Sequence, residues 1–124
     1  MRQTFNKDER LKSKKIIEEL FKKGQNLYAY PLLLKYLPIE HPGNFPVQIA
    51  FSVPKKKIKK ATQRNRIKRQ LREIYRQHKN DLYTHVDKKI AIILIFIDER
   101  AHNFVELEEQ FLFLLKQLER KKIT

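Results

Sequence analysis

The apolar positions of this chain change period several times, and each change marks an element. Between Lys14 and Lys23, Ile16, Ile17, Leu20 and Phe21 recur at i, i+1, i+4 and i+5, the stripe of an amphipathic helix. Ser13 stands where a side-chain oxygen caps such a helix. Lys22 and Lys23 suit its C-terminal dipole, and Gly24 takes the place of a left-handed cap. Tyr30 to Leu37 then alternates with period two: Leu32, Leu34 and Tyr36 on one face, Leu33, Lys35 and Leu37 on the other. Pro31 sets this strand at an edge or marks its beginning. Residues 38–46 hold three of the five prolines and read as a loop. Val47 to Val53 alternates again, with Val47, Ile49, Phe51 and Val53 opposed to Gln48, Ala50 and Ser52. That pattern predicts a sheet with one covered and one open face.

From Ala61 to His78 the period becomes helical. Ile67, Leu71, Ile74 and Tyr75 form the apolar stripe, and Asn65, Lys68, Arg69, Arg72 and Arg76 gather opposite it. Ile90 to Ile97 is apolar throughout and rich in β-branched residues, the mark of a strand covered on both faces. Asn103 and Glu106 match a capping box for a last helix over 104–121, with Phe111, Leu112, Leu114, Leu115 and Leu118 on its buried side. The order helix, strand, strand, helix, strand, helix predicts an α+β fold, a two-layer α/β sandwich with helices on a small sheet. A length of 124 residues with 41% hydrophobic residues suits one domain over 1–124, with 1–12 as an extended arm.

Charge changes the picture. The chain holds 28 Lys and Arg against 14 Asp and Glu. Between Lys55 and Lys79 there are 12 basic residues against Glu73 alone, while the other 99 residues hold 16 basic and 13 acidic. The excess therefore sits in one folded, amphipathic segment, and its field selects polyanions. A merely solvated helix face is the competing explanation. It fits poorly, because like charges at i, i+4 repel without a counter-charge. Arg offers a planar fork to phosphate, and Asn65 a donor and an acceptor suited to a ribose hydroxyl or a base edge.

Other chemistries find little support. The absence of cysteine excludes a disulfide framework, a thiolate zinc site and a Cys nucleophile. His41, His78, His85 and His102 are scattered without metal-ligand spacing. No paired-acid nuclease site and no Gly-rich phosphate loop is visible. The longest apolar stretch has eight residues, too short for a membrane-spanning helix, and residues 1–15 lack the apolar run of a signal peptide. A cytoplasmic protein with no membrane partner is expected.

The run Arg64-Asn65-Arg66-Ile67-Lys68-Arg69-Gln70-Leu71-Arg72-Glu73 resembles the signature of the bacterial ribonuclease P protein component. Ser52-Val53 before Lys55-Lys56-Lys57, then Ala61, resembles the approach to that signature. Arg10-Leu11-Lys12 with Phe21 and Gly24 resembles the family's N-terminal element. The sequence departs from the family at Lys59 and Lys60, where a turn glycine is usual, and at Ile17 and Lys35, where aromatics are common.

The resemblance implies a mixed sheet with a left-handed βαβ crossover. It implies a protein subunit with no catalytic residue of its own, and the scattered histidines give no metal site in the protein. Its partners would be a catalytic RNA and precursor tRNA, with Mg²⁺ held mainly by the RNA. Lys55, Lys56, Lys57, Lys60, Arg64, Asn65, Arg66, Lys68, Arg69, Arg72 and Arg76 would bind RNA. A shallow cleft for the single-stranded 5′ leader would be built from Arg10, Lys12, Ile17, Phe21, Leu33, Lys35, Gln48, Ala50 and Ser52. The alternatives are a ribosomal or other structural RNA-binding protein and a protein-only nuclease, which would need a carboxylate cluster.

Overall fold

The computed structural model describes residues 7–41 and 44–121. Helix α1 (Lys14–Lys23) is followed by strands β1 (Gln25–Ala29), β2 (Leu32–Pro38) and β3 (Val47–Ser52), helix α2 (Ala61–Thr84), strand β4 (Ile90–Phe96) and helix α3 (Phe104–Arg120). The strands form one mixed sheet in the order β1-β2-β4-β3. β4 pairs antiparallel with β2 and parallel with β3, so β3–α2–β4 is a βαβ unit. The α+β class expected from the pattern and the mixed sheet implied by the resemblance are present.

The sheet face carrying Leu32, Leu34, Tyr36, Val47, Ile49, Ile92 and Leu94 is closed by α2 and α3. Ile67, Leu71, Ile74 and Tyr75 of α2 and Phe111, Leu114, Leu115 and Leu118 of α3 meet there, as their periodicity predicts. α2 runs on to Thr84, six residues beyond the predicted end, because Lys79 and Leu82 continue its buried stripe. α3 starts with the predicted box: Asn103 Oδ1 accepts from the Glu106 amide at 2.9 Å, and the Glu106 carboxylate accepts from the Asn103 amide. The opposite sheet face is covered in part by α1, whose Ile16 and Leu20 pack with Leu11, Ala91, Ile93 and Ile95.

Four expectations need correction. The strand predicted from Tyr30 is present as β2, but it is the second arm of a hairpin: β1 precedes it, with the turn at Tyr30–Pro31, and β2 lies inside the sheet, so Pro31 marks the start of a strand and not an edge. Only Leu27 and Ala29 of β1 face the core, too brief an alternation to declare a strand. Gly24 is extended (φ −63°, ψ 147°), not left-handed. A β-carbon there would lie 2.3 Å from the Leu20 carbonyl oxygen, so the close approach of the helix end is what favours glycine.

The arm is also different over its described part; residues 1–6 lie outside the described residues. Residues 7–12 dock on the outer edge of β3, where the Leu11 amide donates to the Ile49 carbonyl at 3.0 Å. Glu9 is fully buried, and its carboxylate accepts from Lys79 Nζ at 2.7 Å and from the Tyr83 hydroxyl. An edge strand exposes unpaired backbone groups, and this segment satisfies some of them. Finally, the second face of β3 is not fully open, because Gln48 is 7% exposed and its amide donates to the Asp8 carbonyl.

Candidate nucleic-acid interface

The turn between β3 and α2 sets the basic block in place. Ile58 is buried and anchors the turn in the core, while Lys55, Lys56, Lys57, Lys59 and Lys60 remain exposed. The Pro54 carbonyl accepts from the amides of Lys57 and Ile58. Lys60, the N-cap residue, has φ −81° and ψ 125°, an ordinary extended conformation that asks for no glycine. It gives α2 no side-chain cap. Arg64 offsets this: its Nη1 donates to the Ile58 carbonyl at 2.9 Å and to the Lys59 carbonyl at 2.7 Å. Arg64 therefore holds the turn as well as adding charge.

The remaining basic residues divide between two flanks of α2. Asn65, Lys68, Arg69 and Arg72, with Thr62, line an open hollow of about 420 Å³. No ion pair engages Lys68, Arg69 or Arg72 among the described residues. Uncompensated cations on a fixed helical spacing present a ready site for phosphates. Arg76 belongs to the same row but is engaged, donating through two nitrogens to Glu73 at 2.6 and 3.0 Å. That fork holds the Glu73 carboxyl below its usual range. Arg66 projects from the other flank, towards the start of α3.

The two surfaces expected separately from the sequence meet at the edge of β3. Lys68 and Arg72 share a second hollow, of about 210 Å³, with Arg10, Lys12 and Ala50. From there the sheet face continues in transverse rows. Ala50, Ile93, Lys35 and Asn26 make one row; Ser52, Ile95, Leu33 and Tyr28 make the next. Lys35 and Ala50 are thus two strands apart with β4 between them, about 10 Å at the usual strand spacing. The alternating pattern of β2 and β3 could not show that separation.

Phe21 projects from α1 over this face, 57% exposed, with Lys35 Nζ 5.5 Å from its ring centre. Lys35 also donates to Asn26 Oδ1 at 2.9 Å. Ile17 of α1 and Leu33 of β2 are half-buried against the smaller cluster that α1 makes with the sheet. Tyr28, absent from the expected cleft residues, is 59% exposed and opposes Leu33 across the β1–β2 ladder. It restores an aromatic surface to a face where Ile17 and Lys35 supply none. Its alternation with the buried Leu27 and Ala29 is the signal that would have found it.

The histidines serve packing contacts. His78 meets Glu108 at 2.8 Å and His85 lies 3.5 Å from Glu119, joining α2 to α3. His102 meets Asp98 at 2.6 Å. Among the described residues no group of three or more His, Asp or Glu side chains is placed to hold a metal ion. No helix among them is long and apolar enough to cross a membrane.

Comparison with known proteins places this geometry. The family model described as Ribonuclease P matches residues 5–119. The chain belongs to the ribonuclease P protein component family. It is 34% identical to the ribonuclease P protein component of Petrotoga mobilis over 122 residues, covering 94% of this chain and 97% of that one. Against the Porphyromonas gingivalis protein component it is 32% identical over 108 residues, 84% of this chain and 78% of the other. A shorter match to the Chlorobaculum tepidum protein component, 42% identical over 74 residues, spans 57% of this chain and about half (48%) of that relative. The solved ribonuclease P protein of Thermotoga maritima superposes with a TM-score of 0.69 at 28% identity, over 88% of this chain and 96% of that one. The Staphylococcus aureus protein shares the fold with a TM-score of 0.70 at 24% identity, over 89% and 94%. Ribonuclease P is an endoribonuclease, and the family expected from residues 52–73 is the family found.

Proposed function

We propose that this chain is the protein subunit that holds the catalytic RNA of ribonuclease P and the 5′ leader of precursor tRNA, so that the leader is removed in tRNA maturation. One observation carries this assignment: the hollow of Asn65, Lys68, Arg69 and Arg72 on α2 is continuous with the sheet face through the hollow shared by Lys68, Arg72, Arg10, Lys12 and Ala50. A row of cations suits the backbone of a folded RNA. A shallow face with Lys35, Phe21 and Tyr28 suits a single strand, which is held by cation contacts and base stacking.

The chain's own part is binding, orientation and charge neutralisation. Lys68, Arg69 and Arg72 meet phosphates, and Asn65 reads a hydroxyl or base edge. Lys55, Lys56, Lys57 and Lys60 extend the basic surface along the preceding turn. Arg64 fixes that turn. On this assignment Mg²⁺ belongs to the RNA phosphates and the hydrolytic chemistry to the RNA.

The test measures precursor tRNA affinity of the assembled ribonucleoprotein as the leader is lengthened from none to about eight nucleotides. Wild type gains affinity with length. Phe21→Ala, Tyr28→Ala and Lys35→Ala lose that gain and bind mature tRNA as before. If they bind mature tRNA and leader-bearing tRNA with an unchanged ratio, the face is a general basic surface and the leader assignment is wrong. Purified chain without the RNA subunit leaves precursor tRNA intact in Mg²⁺; specific cleavage at the mature 5′ end would move the chemistry into the protein.

A further inference from the structure

The flank of α2 turned away from the hollow just described carries a second, differently built recess. It holds about 410 Å³ between α2 and the start of α3. Gln63, Arg66 and Gln70 stand along one stripe of α2, at i, i+3 and i+7, and face His102 and Phe104 across the opening, with Ile67 at the base. Arg66 is exposed, and no ion pair engages it among the described residues. The Gln70 side-chain oxygen is buried without a hydrogen-bond partner. A buried acceptor left unmet forfeits its hydration without replacing it, so native chains rarely keep one without a use.

We propose that this recess is a binding site for one unstacked RNA nucleotide, separate from the leader face and from the Asn65, Lys68, Arg69, Arg72 row. The recess combines the three kinds of group that a nucleotide needs. Phe104 offers a ring for the base, since every base has a π-face. Gln70 and Gln63 offer amides that match a base edge, and the unmet Gln70 oxygen accepts from an exocyclic amino group such as that of adenine. Arg66 at the rim offers its guanidinium to the phosphate. The His102 ring is held in place by Asp98, at 2.6 Å, and forms a fixed wall of the recess. A bare anion would leave the glutamines and the ring unused, and an apolar ligand would leave Gln70 unmet. That RNA supplies the nucleotide rests on the function proposed above; that a nucleotide fits does not.

The full-length chain, free of RNA, is therefore titrated with AMP and separately with ribose 5-phosphate, following ¹⁵N-labelled amides. AMP should shift the Gln70 side-chain amide and the Phe104 backbone amide saturably, and bind there at least tenfold more tightly than ribose 5-phosphate. Gln70→Leu and Phe104→Leu should each weaken AMP at this site about tenfold while a charge-neutral control on α3, Gln117→Ala, leaves it unchanged. Equal binding of AMP and ribose 5-phosphate would make the recess an anion site and overturn the proposal. So would AMP shifts confined to Lys68 and Arg72, or undiminished AMP affinity in both folded variants. These readings involve neither leader nor ribonucleoprotein, so their failure leaves the leader assignment standing, and the converse holds.

Discussion

The two faces of the sheet are built to different standards. The face under α2 and α3 gathers 23 buried apolar residues among those described, whereas the face under α1 gathers six. The first therefore carries the stability. The second keeps Phe21, Tyr28 and Lys35 in solvent at the expense of a complete core. Fold and binding surface thus draw on alternate residues of the same strands, and substitutions on one face should leave the other's property nearly intact.

The largest test of that separation is on the closed face. Phe111→Ala, on the buried side of α3 against Tyr75 of α2, should cost about 3–5 kcal/mol in urea unfolding, from lost burial plus the cavity left behind. Phe21→Ala, more than half exposed, should stay within about 0.5–1 kcal/mol. Comparable losses from both would show that the α1 face is as much core as the other.

Next is the tie between the N-terminal segment and α2. Lys79→Met leaves the Glu9 carboxylate buried without its cation, which should cost about 3–5 kcal/mol. The double variant Glu9→Leu, Lys79→Met should recover most of the loss, since it removes both charges together. If the double variant is no better than the single one, the cost arises from packing and not from the unpaired charge.

Much of this was legible in advance, and the gaps have physical reasons. The stripes Ile67, Leu71, Ile74, Tyr75 and Phe111, Leu114, Leu115, Leu118 predict their helices because burial follows the 3.6-residue period. The signature at 64–73 is local, and so is its placement on one helix. The hairpin strand β1 shows only Leu27 and Ala29 as buried positions, and the Glu9–Lys79 tie links residues 70 apart. No periodicity reports a contact at that range. The division of the basic residues into two flanks was hidden for a related reason. A helical wheel locates Arg66 away from Arg72, but only tertiary packing shows that α3 begins opposite Arg66 and Gln70.

A smaller effect belongs to the turn after β4. The Asp98 carboxyl is held down to about 2 by hydrogen bonds from the Tyr30 hydroxyl and then from His102. Its folded value is thus depressed below the ordinary 3.8. Its contribution to stability is complete above about pH 4 and is lost as the pH falls through about 2. The gap in urea midpoint between wild type and Asp98→Asn should hold steady from neutral pH to about pH 5 and close between about pH 4 and 2. A gap that persists to pH 2 would remove Asp98 from the ties that fix this turn.

The smallest expected change in stability is at Arg69, and it separates Arg69 from Arg64, a neighbour in the same signature. Arg64 donates to two carbonyls of the turn, so Arg64→Ala should lose about 1 kcal/mol of stability together with affinity for the RNA subunit. Arg69 is exposed on the open row and meets no acid among the described residues. Arg69→Ala should therefore unfold within about 0.5 kcal/mol of wild type, as surface substitutions do. It should still weaken assembly with the RNA subunit, and lower the slope of log affinity against log salt by about 1, the mark of one lost phosphate contact. Salt slope is the discriminating measurement, because a variant that merely loosens the fold changes affinity without changing how many counterions are released. An unchanged slope for Arg69→Ala, with unchanged affinity, would take Arg69 off the interface and leave the open row of α2 a solvated face.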